Sequence, residues 1–265
     1  MKLLKLALLI LLTSSVQAQE LFESSFRVHG LSVFKEDKRQ MLSAWLTEGV
    51  NSTRATLGVY PRRLELYVYP RKSNQPVPWA HTRRDDKESI HFYVDTRFQK
   101  EKFINDWTIY HEISHLALPY LGSEYSWFSE GFASYMQYQI MADSGVLKGT
   151  LQERYQQKIA PHLKWFNSEL TPAAIARRLL SHRNYPAGYW GGAWFFVLAD
   201  QQLQHKHQLS LNQVVEQYQL CCRLHDETVQ DVLTSFDRLI EDSLFSDLLK
   251  RFENDPARTL YPDRF

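Results

Sequence analysis

The spacing of apolar residues divides the chain into two unequal stretches. Between residues 35 and 58, Met41, Leu42, Trp45, Leu46 and Val50 recur at helical spacing among charged neighbours, and Gly58 follows as a stop signal. "RLELYVYP" (63–70) then alternates with the period of a strand and ends at Pro70. The next segment, "RKSNQPVPWAHTRRDDKE", is polar and Pro-containing and reads as a loop, and "SIHFYVD" (89–95) reads as a second strand. Beyond residue 98 the period is helical almost throughout, over about 100–120, 126–143, 150–166, 171–181, 189–206, 210–221, 226–237 and 240–253. This layout predicts an α+β fold: a small N-terminal α/β lobe (19–98) packed on a larger helical lobe (99–265), the two forming one catalytic unit.

The first eighteen residues stand apart from this pattern. Lys2 and Lys5 precede an apolar run from Leu3 to Leu12, and Val16-Gln17-Ala18 offers a cleavage site, the form of a signal peptide. The run is short for a membrane span, no later segment approaches about 20 uncharged apolar residues, and no cysteine follows the cleavage site to carry a lipid. The expected product is periplasmic or secreted, with no membrane span once the signal is removed.

Composition narrows the class of partner. Hydrophobic residues make up 44% of the chain and aromatics 14%, ample apolar surface for a substantial core, which excludes a disordered chain. Removing residues 1–18 takes away two lysines and no acids, leaving 29 basic against 30 acidic residues. That balance gives no reason to expect nucleic acid or an anionic membrane as a partner. Cys221 and Cys222 are the only cysteines and are adjacent. Export permits disulfides, but a bridge between neighbours is strained, so free thiols packed at a helix are expected. The sequon Asn51-Ser52-Thr53 falls within the first helical stretch.

The chemistry is concentrated in "WTIYHEISHLALPYLGSEYSWFSEGFASYMQY" (107–138). Positions i and i+4 of a helix share one face, so His111 and His115 can present two imidazoles to a single ion. Glu112 lies beside that face, close enough to act as a base toward water held by the ion without ligating it. After fourteen intervening residues, Glu130 opens another helical segment beyond the polar turn "GSEYS". A helix–turn–helix of that length can fold back and bring Glu130 opposite the histidines as a third ligand. Gly131 then removes a side chain where the two helices must approach closely. Glu124 is the rival third ligand, but its place in the turn, with eight residues between it and His115, makes it the weaker choice.

"HEISH" followed by "WFSEGFASY" resembles the gluzincin zinc peptidases, in particular the M1 and M61 aminopeptidase families and the bacterial peptidase MA-like domains. The second motif there has the form W-x-x-E-G-x-A-x-Y. The resemblance implies a thermolysin-like catalytic domain with one catalytic zinc held by His111, His115 and Glu130, and Glu112 as catalytic base. The gap between the two motifs is shorter than in the M1 pattern, which places the chain nearer the compact members. "YWGGAWFFVLAD" (189–200) is similar to the segment that begins a helix in those enzymes and carries a Tyr bonded to the tetrahedral oxyanion. The resemblance puts Tyr189 in that role, with Gly191 where a Lys is usual, and Tyr185 and His182 nearby as alternatives. The G-x-M-E-N signature that anchors a substrate amine in M1 enzymes is absent, and the strand at 89–95 is expected to take the place of the substrate-pairing edge strand.

The expected activity is therefore that of an exported zinc-dependent metallopeptidase acting on a peptide or protein substrate, with internal cleavage favoured over aminopeptidase action. Two alternatives remain open: a non-catalytic peptide-binding or scaffold domain of the same fold, and a zinc amide hydrolase acting on cell-wall peptide. The intact Glu112 argues against the first, because a pure binding module has no use for that carboxylate.

Overall fold

The computed structural model describes residues 26–84 and 87–263; the signal peptide expected at 1–18 lies outside the described residues. Strand β1 (Phe26–His29) leads into helix α1 (Glu36–Leu57), which returns the chain to β2 (Leu64–Pro70). Strands β3 (Trp79–Arg84) and β4 (Glu88–Val94) complete a sheet of order β1-β2-β4-β3, with β1, β2 and β4 parallel and β3 antiparallel to β4. Helix α1 stops where expected: Gly58 takes φ of 81° and its N–H closes on the Arg54 carbonyl.

Alternation gives the sheet its two faces. Leu64, Leu66 and Val68 of β2 and Ile90, Phe92 and Val94 of β4 are buried on one side, and Trp45 of α1 packs edge-on against Phe92 at 5.3 Å. The other side carries a row of stacked rings running strand to strand, His29–Tyr67–His91–His81, with centroids 4.4, 4.6 and 5.0 Å apart.

The helices follow as α2 (Lys100–Ile104), α3 (Thr108–His115), α4 (Ser126–Asp143), α5 (Leu151–Ile159), α6 (Leu163–Phe166), α7 (Pro172–Ser181), α8 (Tyr185–His207), α9 (Leu211–Cys221), α10 (Val229–Ile240) and α11 (Leu244–Asn254). One contiguous apolar core runs from the sheet through α1 into these helices. Among the described residues, no helix is long and apolar enough to cross a membrane.

Several expectations need correction. The strand expected at 89–95 lies at 88–94 and is interior, paired on both sides. The edge is β3, inside the segment read as a loop. Its sequence, Trp79-Ala-His-Thr-Arg-Arg, shows no apolar alternation because an exposed edge favours polar and charged residues. β1 was likewise invisible in the pattern, being four residues long. The helix expected over 100–120 breaks after Ile104 and ends in tight turns past His115, and Pro161 interrupts the one expected over 150–166. α8 begins four residues before Tyr189, because Pro186 is harmless in a first helical turn.

Cys221 and Cys222 are joined by a disulfide rather than packed as free thiols. In a continuing helix, adjacent side chains diverge by roughly 100°. Here α9 ends at Cys221, and Cys222 leaves helical geometry with φ of −129°, which lets the sulfurs meet.

Candidate metal centre and cleft

Helix α3 delivers the two histidines. His111 is 3% exposed, and its ring lies 4.9 Å from that of His115 at nearly a right angle. The chain then passes through a turn at Ser123–Tyr125 and comes back as α4, whose second turn carries Glu130. The Glu130 Oε2 atom stands 3.3 Å from His111 Nε2 and 3.6 Å from His115 Nε2. One ligand atom from each of the three residues falls within 4.8 Å of the others.

Burial works to raise the Glu130 carboxyl, yet the His115 and His111 imidazoles beside it hold it well below the usual carboxylate range. Burial works to lower the His111 imidazole, and Glu130 outweighs it and pushes it up. Two imidazoles and a carboxylate converging on one point are a donor set suited to a divalent ion such as zinc. The second nitrogen of His111 is also fixed: Nδ1 donates to Gln137 Oε1 at 2.9 Å, which leaves Nε2 aimed at the shared point. Glu124 does not join the cluster. Its side chain is 71% exposed and pairs with Arg177 at 3.1 Å.

The cluster lies in a cleft of about 1020 Å³. β3 forms one wall through Trp79 to Thr82, and Trp107, just before α3, and Tyr185 and Tyr189 of α8 also line the cleft. Glu112, 8% exposed, opens into this space, and Thr82 Oγ1 lies 3.2 Å from its Oε2. The Tyr189 ring stacks on His111 at 6.1 Å. Burial first, and then the Glu130 and Glu112 carboxylates, push the Tyr189 phenol far up, so it stays protonated and able to donate at neutral pH. Tyr185 stands at the rim, 48% exposed. His182 is outside the lining and donates Nδ1–H to the Arg178 carbonyl at 2.8 Å.

Two features of the surroundings were not expected. First, Gly131 does not ease an approach of α4 to α3. A Cβ there would stand 2.4 Å from the carbonyl carbon of Gly192, so the close crossing is between α4 and α8. Gly192 answers it, since a Cβ on that residue would meet the Trp127 carbonyl oxygen at 2.2 Å. This crossing brings Glu130 and Tyr189 to the same cleft. Second, the end of α3 is held by two arginines. Arg223 Nε donates to the Leu116 carbonyl at 2.9 Å, while Arg84 donates to the carbonyls of His115 and, at 3.0 Å, Leu118. Both guanidiniums meet Glu88, to which the Tyr60 hydroxyl also donates. Cations at a helix C-terminus complement its dipole as well as its unpaired carbonyls.

Sequence reasoning missed Thr82, Gln137, Glu88, Arg84 and Arg223. Only Gln137 carried a local signal, standing seven residues after Glu130 and hence on the same face of α4.

No family model matches the chain, and no curated protein matches it. Among solved structures, the fold is shared with an M1 zinc metallopeptidase from Deinococcus radiodurans. A glutamate-to-alanine mutant of that enzyme bound to a Tyr-Ser-Ala substrate superposes with a TM-score of 0.54 at 15% identity, covering 82% of this chain and 44% of that one. A second structure of the M1 zinc metallopeptidase from the same organism gives a TM-score of 0.53 at 14% identity, covering 80% and 44%. The chain thus spans less than half the length of these neighbours, and at such identity the likeness is one of fold.

Proposed function

We propose that the protein is a zinc-dependent metallopeptidase of the gluzincin type, with His111, His115 and Glu130 as ligands to one zinc ion. The observation that carries this reading is the convergence of the three donor groups in a cleft that also presents Glu112 and Tyr189. The fold shared with M1 zinc metallopeptidases supports it. The thermolysin-like architecture, the unity of 19–265 as one catalytic body and export by the N-terminal segment belong to the same proposal.

When bound, the ion would polarise the scissile carbonyl and acidify a water molecule. Glu112 takes the proton from the attacking water and passes it to the departing amine. The Tyr189 hydroxyl donates to the oxygen of the scissile carbonyl as negative charge grows there. β3 has no strand partner on its outer edge among the described residues, and an extended peptide can add to it there. The G-x-M-E-N sequence that anchors a substrate amine in M1 enzymes does not occur in the chain, so internal bonds are the expected targets.

The test combines metal analysis with a peptide-library digest by wild type and Glu112→Gln. About one zinc per chain, with hydrolysis lowered by at least about a hundredfold in the variant at unchanged zinc content, is the expected result. Protein that takes up no zinc, or a Glu112→Gln variant as active as wild type, rules the reading out.

A further inference from the structure

Glu112 is the residue whose aim matters most in the proposed reaction, and its carboxylate ends a side chain with three rotatable bonds. Among the described residues, the hydrogen bond it receives comes from one place, Thr82 Oγ1 on β3, 3.2 Å from Oε2. The same hydroxyl lies 3.3 Å from the backbone carbonyl of Glu112. That carbonyl lacks its usual helical donor, because α3 tightens at its end and the Leu116 N–H bonds to Ile113 instead. One hydroxyl hydrogen cannot serve both acceptors fully, and an ionised carboxylate is the stronger of the two.

We propose that Thr82 is a positioning residue of the peptidase, whose hydroxyl holds the Glu112 carboxylate by Oε2 and leaves the other oxygen to face the attacking water. The inference rests on the function proposed above and deepens it. Its consequence is that β3 serves two tasks. Its outer edge lies along the path of the substrate, while its inward position 82 aims the base, so strand and base move as a unit. An open bond of this length also has room to shorten when substrate closes the cleft.

A merely structural tie between β3 and α3 is the rival explanation, and the strand itself argues against it. Arg84, on the same face of β3 two residues on, already bonds to the His115 and Leu118 carbonyls and to Glu88. β3 is further held by its whole length of pairing with β4. Loss of the Thr82 hydroxyl leaves those bonds in place.

Thr82→Val keeps the shape and removes the hydroxyl; Thr82→Ser keeps the hydroxyl; both are compared with wild type in the zinc-loaded enzyme, alone and combined with Glu112→Gln. Thr82→Val should lower kcat by roughly ten- to thirtyfold with KM within about twofold, the scale of losing one hydrogen bond to a charged group. Zinc content and melting temperature should stay near wild type, and Thr82→Ser should return kcat to within about threefold. In the Glu112→Gln background, Thr82→Val should cost little more, because the carboxylate it aims is gone. Should Thr82→Val not fold, Thr82→Ala removes the same hydroxyl and is read the same way. Wild-type kcat in the hydroxyl-free variant, a rise in KM alone, or an equal loss with and without the Glu112 carboxylate would overturn the proposal. A fully active Glu112→Gln would instead sink the peptidase reading, so the two failures are told apart.

Discussion

Gly131→Ala tests whether the crossing of α4 and α8 builds the candidate metal centre. The new Cβ would stand 2.4 Å from the Gly192 carbonyl carbon and 2.7 Å from both the Gly192 oxygen and the Ala193 nitrogen. All three are backbone atoms, so no rotamer change relieves the clash. Ordinary contact begins near 3.4 Å, and the helices must therefore part by about 1 Å, at a cost of about 2–3 kcal/mol, the upper part of the overpacking range because backbone cannot repack. Replacing a helical Gly by Ala returns about 1 kcal/mol, which leaves a net loss of about 1–2 kcal/mol. For a chain of this size that lowers the melting temperature by about 2–8 °C. The functional effect should be larger than the stability effect suggests, because Glu130 is the adjacent residue. A shift of about 1 Å exceeds the roughly 0.5 Å within which a ligand set must be held. Zinc affinity, measured by competition with a chelator, should fall by at least about tenfold. A melting temperature equal to or above wild type would refute the packing argument. A lowered melting temperature with unchanged zinc affinity would refute the link between this crossing and the metal centre.

Three further outcomes follow from the same structure. Tyr189→Phe should keep fold and zinc while kcat falls by about two to three orders of magnitude at nearly constant KM; normal turnover, with Tyr185→Phe crippled instead, would move the oxyanion role to the rim. Arg223→Leu removes the donor to the Leu116 carbonyl and leaves Glu88 with Arg84 and the Tyr60 hydroxyl, so unfolding titrations should show a loss of about 2 kcal/mol, below the cost of a buried charge left without any partner; a change under about 0.5 kcal/mol would refute the clamp on α3. The Arg97 guanidinium, with the amides of Ser73 and Arg97, holds the Asp95 carboxyl well below its usual range. Its contribution to stability is present above the ordinary carboxylate pKa near 3.9 and is lost as pH falls toward the depressed folded value. Asp95→Asn should accordingly lose less melting temperature than wild type between pH 7 and pH 3, and an unchanged slope would contradict this.

What the chain announces locally, it announces well. The i, i+4 spacing of His111 and His115 needs only one helix to put both rings on one face. The short turn after α3 leaves α4 little choice but to return, which brings Glu130 to the same point. The apolar periods of α1, α4 and α9 match their observed spans within a residue or so, because each buries one stripe against a single core. Thr150, Thr171, Ser210 and Thr228 cap their helices with side-chain bonds that depend on residues only three positions away.

Tertiary structure decided the rest. β3 looked like a loop because an edge strand has no two-sided burial to write an alternating pattern, and only its pairing with β4 makes it the wall of the cleft. With it came Thr82, thirty residues from the carboxylate it touches. Arg223 reaches the carbonyl of Leu116 across 107 residues, a distance over which periodicity carries no information. Gly131 was legible as a close approach, but its partner Gly192 was not, since a missing side chain says that something comes near and not what. The Cys221–Cys222 bridge depended on α9 ending one residue before an ideal helix would have kept the sulfurs apart. The sequence determined which groups could gather around an ion, because helical geometry is set by neighbours in the chain. The fold decided what aims, clamps and covers them, because those contacts join segments that meet only when the core closes.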